Sequence, residues 1–197
     1  MPNKPRDIAP DYFYHIYNRA VEKRTIFYTE KDYEYFIDKA IFYKEKTGVK
    51  ILAYCVLPNH FHFLLKEPTF EVATTSKVGS SAISKFISLL LNSYTRYFNL
   101  NKDHSGRIFQ GPFKSKLADD DNYLSILLNY INLNHLKHKI AKKPKDWFYT
   151  SHHNYVGESK YNLIDKDYLI DFAEYRRGIL SYKKILFKID EEFNLEG

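Results

Sequence analysis

The feature that most constrains this sequence is a long apolar run followed directly by an alternating one. Residues 49–57 are almost all apolar, which is typical of a strand covered on both faces. Pro58 and Asn59 indicate a turn. His60–Lys66 then alternates in the manner of a second strand, so the two runs predict a β-hairpin.

Two histidines share one face of the second predicted strand. Successive side chains of a strand point to opposite faces, so His60 and His62 project together. Phe61, Phe63 and Leu65 take the other face, where they can pack beneath helices. Paired neutral imidazoles at this spacing can hold one divalent ion, although they would need a third ligand. The alternative is that they only form hydrogen bonds at the sheet surface.

Further elements are predicted on either side of the hairpin. Residues 12–19 are β-branched and aromatic enough for a strand, and a helical stretch runs from residue 29 or 30 to about 45, ended by Gly48. Residues 82–98 have helical periodicity, and residues 106–117 form an extended segment. This order predicts an α+β fold: a ferredoxin-like antiparallel sheet with helices packed on one face.

The C-terminal part of the chain predicts two more helices, over residues 165–177 and 179–193. The plausible boundary before them lies near Gly157. We therefore expect a main domain over residues 1–160 and a helical extension over residues 161–197 that packs on it.

A helix from about residue 119 to 135 carries a candidate pair of polar side chains. Tyr130 and Asn134 are four residues apart, so both can reach toward one spot. Asn134 could supply an amide oxygen to a metal ion while Tyr130 offers a hydroxyl nearby. The alternative is that Tyr130 only packs, with its tip in water; the pattern alone does not single it out.

Charge and composition favour a polyanionic partner. The chain has 30 Lys and Arg against 24 Asp and Glu, a net charge of +6. Basic residues that neutralise phosphates release counterions, which favours binding to nucleic acid. The 18 Tyr and 15 Phe could stack unpaired bases, although an AT-rich genome would enrich the same residues.

Other features bear on location. No run approaches the ~20 apolar residues that a membrane helix requires, and residues 1–7 lead into no apolar signal segment. The single cysteine, Cys55, forms no intramolecular disulfide, which fits a reducing compartment. We expect a cytoplasmic protein with no membrane partner.

Seven short stretches occur in one order between residues 12 and 157. They are YHIYNR at 14–19, IF at 26–27, YCVLPNHFHFLL at 54–65, GRIFQGPFK at 106–114, DDDNY at 119–123, YINLN at 130–134 and WFYTSHHNYVG at 147–157. Each is weak alone. The ordered set resembles the REP-associated tyrosine transposases, within the insertion-sequence-200-like group of single-tyrosine nucleases that carry a His-hydrophobic-His (HUH) motif.

The resemblance implies a ferredoxin-like HUH endonuclease domain and a specific chemistry. It implies His60, His62 and Asn134 as ligands of Mg²⁺ or Mn²⁺, and Tyr130 as the nucleophile that forms a 5′-phosphotyrosine intermediate. The expected activity is metal-dependent cleavage and rejoining of single-stranded DNA that bears a hairpin. Chain length favours a monomer, and a dimer is the alternative.

Three basic residues flank the tyrosine helix in sequence. Arg107, Lys114 and Lys116 are candidates for contacts with DNA phosphates, or else solvated charges.

Three further histidines, His135, His152 and His153, are expected to be surface or capping groups. One departure from the family pattern lies here, because residues 135–138 read HLKH where the family typically has PVRA.

Two other functions compete with the transposase. A single-strand nucleic-acid binding module would keep the fold without the chemistry. A hydrolase with zinc on His60 and His62 would act without Tyr130.

Overall fold

The computed structural model describes residues 8–69 and 81–165, together with Asp167, Tyr175, Gly178 and Ile179. The strands of this part are β1 (Phe13–Arg19), β2 (Lys50–Leu57), β3 (His60–Lys66) and β4 (Lys114–Ala118). The α-helices are α1 (Glu30–Thr47), α2 (Ala82–Asn101), α3 (Asp121–Lys137) and the short α4 (His152–Tyr155), with 3₁₀ turns at Val21–Lys23 and Pro144–Asp146.

The four strands form one antiparallel sheet in the order β2-β3-β1-β4. Strand β3 lies between β1 and β2, although α1 connects those two strands in sequence. This split crossover is the predicted ferredoxin-like topology. The hairpin prediction is also confirmed, because β2 and β3 pair around Pro58 and Asn59.

Helices α1 and α2 pack on the phenylalanine face of β3. The ring of Phe36 on α1 lies 5.4 Å from Phe61, between ring centroids, and that of Phe86 on α2 lies 5.9 Å from Phe63. The prediction of helices on one face holds for α1 and α2. Helix α3 packs on the opposite face of the sheet, against β2 and β3. This packing covers the second apolar side of β2, where Cys55 is fully buried.

The helix ends follow the predicted signals. Gly48 ends α1 in the left-handed conformation (φ 74°), which glycine adopts without a steric penalty. Asp120 caps α3, where its side chain accepts a hydrogen bond from the backbone N–H of Tyr123 at 2.8 Å. At the start of α2, buried Glu67 accepts hydrogen bonds from the N–H groups of Ala82 and Ile83.

The extended segment predicted over residues 106–117 is only partly a strand. Regular pairing is confined to β4 (Lys114–Ala118), and an isolated bridge joins Phe109 to Ala20. Gly111 interrupts the segment with a φ of 129°. Before it, Gln110 N–H donates to the Arg19 carbonyl and Val21 N–H donates to the Ile108 carbonyl, so residues 108–110 pair with the end of β1 outside the regular strand β4.

Residues 147–165 run along the edge of β2 that does not pair with β3. The backbone of β2 exchanges hydrogen bonds with this segment at several points: Val56 N–H to Tyr149 O, Trp147 Nε1 to Val56 O, Ser151 N–H to Tyr54 O, Tyr155 Oη to Leu52 O, and Ile51 N–H to the Asp165 carboxylate. The edge strand is thereby paired on both sides.

The prediction that His135, His152 and His153 are surface or capping groups is wrong. All three are buried, with at most 5% of each residue exposed. Two of them have polar partners that offset their burial: His152 Nδ1 lies 2.9 Å from Tyr175 Oη, and His153 Nε2 lies 3.0 Å from the carbonyl oxygen of Trp147.

The same region fixes α3 to the sheet. Thr150 donates a hydrogen bond to the carbonyl oxygen of Asn132 at 3.0 Å, and the Ser151 hydroxyl contacts the Asn132 side chain. Ser151 also accepts a hydrogen bond from the N–H of Tyr54 on β2. These buried contacts set the position of α3 against β2.

The predicted helices over 165–177 and 179–193 lie outside the described residues except for isolated positions, so the division at residue 160 stays a prediction. Asp165 forms ion pairs with Lys44 at 3.1 Å and Lys50 at 3.5 Å. Tyr161 and Leu163 are buried, so the chain is still part of the core at this point. No helix in the described ranges could cross a membrane.

The burial of His152 should make folding sensitive to acid. Burial, and then the neighbouring His153, lower its pKa from 6.5 to about 4. Between these pH values the unfolded chain binds a proton that the folded protein excludes, so stability falls as pH falls. We expect His152→Gln to lose less free energy of unfolding over this window, measured by urea denaturation. Mildly alkaline buffer, where both states carry neutral imidazole, is the control; parallel curves would contradict this assignment.

Candidate active site

His60 and His62 lie side by side on the face of β3 that α3 covers. Their ring centroids are 5.2 Å apart, and the two residues are only 4% and 1% exposed. The alternation of the strand therefore places the imidazoles together, as the spacing predicts. The β1 register adds Tyr17 opposite His62 and Arg19 opposite His60.

Each imidazole uses its Nδ1 atom for a protein contact. His60 Nδ1 lies 2.5 Å from Asn59 Oδ1, and His62 Nδ1 lies 2.9 Å from His15 Nε2. A metal ion at this face would therefore meet the Nε2 atoms. Hydrogen bonding through the second ring nitrogen is the usual way in which proteins orient a histidine ligand. The His62 Nε2 atom is buried and has no hydrogen-bond partner.

The imidazoles of His15 and His62 are held in the neutral form. Burial, and then the charge of Lys116, lower the pKa of His15 to about 3. Burial also lowers the pKa of His62 well below its ordinary value, and the adjacent imidazoles His15, His60 and His138 add to the effect. Neutral imidazole is the form that binds a metal ion.

Helix α3 presents a line of three side chains to this pair. The Tyr130 ring lies edge-on to His62, with 5.9 Å between centroids. Two turns later, the His138 ring lies 4.7 Å from His60. Asn134 follows Tyr130 by four residues on the same helical stripe, and His138 is the C-cap of the helix.

The Asn134 amide is the least satisfied group of the site. The residue is fully buried, yet neither its Oδ1 nor its Nδ2 has a hydrogen-bond partner. Leaving a polar group buried without a partner costs about 1–3 kcal/mol. A bound cation contacting Oδ1 would remove part of that cost.

The side chains at this face fit a metal ion with an incomplete protein shell. Within the described ranges, no three His, Cys, Asp or Glu side chains converge as a metal site. The candidate donors at this face are the two imidazole nitrogens and the partnerless amide oxygen of Asn134. Such a shell would leave positions for substrate oxygens, unlike a closed structural zinc site.

The three basic residues predicted to contact DNA do not all lie on the same surface. Lys114 and Lys116 on β4 lie opposite Tyr17 and His15 in the register, so they occupy the imidazole face. The Lys114 ammonium lies 5.8 Å from the Tyr17 ring centroid. Arg107 is exposed in the connection before β4 and is not brought onto this strand face.

Three neighbours of the site were not predicted from the sequence: His15, Lys137 and His138. The sequence signal for His15 was its alternation with Tyr17 in a predicted strand. Its contact with His62 could not be predicted, because it depends on the order of the strands in the sheet. Lys137 and His138 lie in the segment that departs from the family pattern. The Lys137 ammonium lies 5.3 Å from the Tyr130 ring centroid.

The site is closed in this structure. Tyr130 and Asn134 are fully buried, as are His60 and His62 to within a few per cent.

A ferredoxin-like sheet with two histidines on a central strand, faced by a tyrosine helix, is the arrangement that the sequence resemblance to single-tyrosine transposases implies. Comparison with known families agrees: the family model described as "Transposase IS200 like" matches residues 9–134. The chain belongs to the IS200-like transposase family, which confirms the resemblance found in the sequence.

Two individual similarities refine the comparison. A Haemophilus influenzae protein named as a REP-associated tyrosine transposase is 31% identical over 112 residues, 56% of this chain and 62% of that relative. The chain thus matches less than two thirds of that relative's length. A solved structure of a REP-associated tyrosine transposase bound to a REP hairpin has a TM-score of 0.65 at 19% identity, over 87% of this chain and 93% of that one. This likeness shows a shared fold.

Proposed function

We propose that this protein is a metal-dependent endonuclease and transposase of single-stranded DNA, with Tyr130 as its nucleophile. The observation that carries the proposal is the placement of Tyr130 against His62, at 5.9 Å between ring centroids, on the same helical stripe as the partnerless amide of Asn134. Membership of the IS200-like family supports the same assignment.

His60 and His62, through Nε2, and Asn134, through Oδ1, are the proposed ligands of Mg²⁺ or Mn²⁺. Mixed imidazole and amide ligation suits Mn²⁺ and admits Mg²⁺. When bound, the ion would supply positive charge against a non-bridging phosphate oxygen and orient the scissile bond. His15 and Asn59 orient the two imidazoles through their Nδ1 atoms.

In the proposed cleavage step, the Tyr130 Oη atom attacks the phosphorus of a single DNA strand. A new Oη–P bond forms and the P–O3′ bond breaks, with its electron pair leaving on the 3′ oxygen. The phenol proton is released and the 3′ oxygen takes up a proton, so the step is balanced. The products are a 5′-phosphotyrosine and a free 3′-hydroxyl. Attack by a 3′-hydroxyl on this linkage rejoins strands without ATP, because the phosphotyrosine retains the bond energy.

Positive charge around Tyr130 favours the approach of DNA. Lys137 lies over the Tyr130 ring, and Lys114 and Lys116 extend the positive face onto β4. Each would oppose the charge of the phosphate backbone, and Arg107 is a further candidate beyond the strand.

The proposed substrate is single-stranded DNA that carries a hairpin. The fold relative described above is bound to a REP hairpin, and this chain has the same fold over most of its length. The length of the chain favours an active monomer, with a dimer as the alternative. Cytoplasmic action on DNA follows from the same proposal.

Replacement of Tyr130 with Phe should abolish the covalent DNA adduct and leave DNA binding within about twofold of wild type. The reason is that only the attacking oxygen is removed while the ring keeps its packing. Adduct is measured with internally labelled hairpin DNA and Mn²⁺ on a denaturing gel, and binding by fluorescence anisotropy.

Tyr123→Phe on the same helix is the matched control and should retain the adduct. Undiminished adduct with Tyr130→Phe would overturn the nucleophile. Binding without adduct in the wild-type protein would instead support a non-catalytic binding module.

Loss of the Asn134 amide should weaken Mn²⁺ binding by at least about tenfold, measured by electron paramagnetic resonance of the free ion. His15→Phe should also weaken Mn²⁺ binding, because the residues that orient metal ligands typically contribute about 10- to 100-fold in metal affinity. His15→Gln, which can still hydrogen-bond to His62, should bind more tightly than His15→Phe.

The control for Asn134→Ala is Asn101→Ala, at an exposed position on α2. Circular dichroism verifies that each variant is folded. Mn²⁺ affinity unchanged in folded Asn134→Ala would remove Asn134 as a ligand.

Alanine at Lys114, Lys116 or Arg107 should weaken binding to single strands of any sequence. Removing one cation that neutralises a phosphate should reduce the slope of log affinity against log salt by about 0.7. Lys31→Ala, an exposed change on α1, is the control. A wild-type slope in any of the three variants would remove that residue from the DNA interface.

A further inference from the structure

We propose that a second cleft, outside the candidate active site, binds an unpaired nucleotide of the single-stranded DNA. The cleft has a volume of about 330 Å³ and is lined by Arg24, Tyr28, Phe98, Lys102 and His104. It lies between the segment that follows β1 and the C-terminal end of α2. The inference rests on the proposed function, because it assigns part of the same DNA substrate to this cleft.

The cleft offers an aromatic surface suited to base stacking. Tyr28 is 57% exposed, and its ring lies nearly parallel to that of buried Phe98, with 6.4 Å between centroids and an angle of 27°. Phe98 supports the exposed ring from below. Base stacking on such a ring is tolerant of sequence and requires a base whose face is accessible, which favours unpaired DNA.

Basic side chains surround this aromatic surface. The Lys102 ammonium lies 5.0 Å from the Tyr28 ring centroid, and the His104 ring lies 5.7 Å from Phe98. The Arg24 Nε atom is buried and has no hydrogen-bond acceptor. A phosphate oxygen is an acceptor of the kind that a guanidinium group binds most strongly.

Two carboxylates lie close to the cleft in sequence, Asp32 and Asp103, but neither lines it. Asp32 accepts hydrogen bonds from the N–H groups of Tyr28 and Thr29 and from the Tyr97 hydroxyl, so its charge is already engaged. Asp103 lies between Lys102 and His104 and is exposed to solvent. The cleft itself is lined by basic and aromatic side chains.

The cleft is held rigidly against the hairpin that carries the histidine pair. The N–H groups of Ile26 and Phe27 donate to the carbonyl oxygen of Pro58, and the Asn59 side chain donates to the carbonyl oxygen of Lys23 at 2.8 Å. The same Asn59 side chain contacts His60 through its oxygen. The cleft is thus linked through Asn59 to the strand end that carries His60.

A similar cleft on α1 lacks these properties and provides a matched control. Phe42 there is also 57% exposed, and the Lys39 ammonium lies 5.8 Å from its ring centroid. That cleft is lined by the carboxylates of Asp38 and Glu45, which would repel a phosphate.

The test compares two double variants in the Tyr130→Phe background, in which DNA stays uncut. Titration with fluorescein-labelled oligo-dT should show that Tyr28→Ala with Lys102→Ala weakens binding about tenfold, as expected for the loss of one stacked base and one cation. Phe42→Ala with Lys39→Ala should stay within about twofold. Tyr28→Phe, which keeps the ring, should retain the parent affinity, and ultraviolet crosslinking of 5-iodouracil DNA should map to Tyr28.

Equal affinity of the two double variants would overturn the cleft as a nucleotide site. The proposed function is read separately, from adduct formation by protein with Tyr130 intact. An active enzyme with unchanged binding in the Tyr28 and Lys102 double variant would reject the cleft and keep the function. Weakened binding without any adduct from the Tyr130-containing protein would keep the cleft and reject the function.

Discussion

The packing of α3 across the imidazole face of the sheet is the contact on which the candidate site depends. It brings Tyr130 against His62, and the buried Asn134 lies one turn further along the same helix. The helix is held there by buried polar bonds from Thr150 and Ser151 as well as by apolar packing. Directional bonds fix the register of the helix along the strands, which apolar packing alone specifies less sharply.

The electrostatics of this face suit both a cation and a polyanion. Burial keeps His15 and His62 uncharged, so they add no repulsion toward a metal ion. Permanent positive charge lies farther out, on Lys114 at the edge strand and on Lys137 above the tyrosine ring. Neutral donors at the centre with cations around them allow the binding of a metal ion and of phosphate at one place.

Local sequence patterns predicted much of this arrangement, and its long-range pairings were harder to foresee. Alternation in His60–Lys66 gave the shared face of the two histidines, and helical spacing placed Tyr130 and Asn134 on one stripe. The contact between His15 and His62 joins residues 47 positions apart and follows from strand order. The buried state of His152 depends on partners such as Tyr175, which no local periodicity reveals.

The pairing of residues 147–165 with the edge of β2 affects how copies of this chain can associate. An edge strand with unpaired N–H and C=O groups is a template on which a second sheet can grow. Here the backbone of Tyr54 and Val56 is already bonded to residues 147–151, so this border of the sheet is sealed. The opposite border is the short β4, whose protruding lysines discourage such growth. Sheet extension from chain to chain is thus disfavoured at both borders, which protects a tyrosine- and phenylalanine-rich protein from aggregating through its strands.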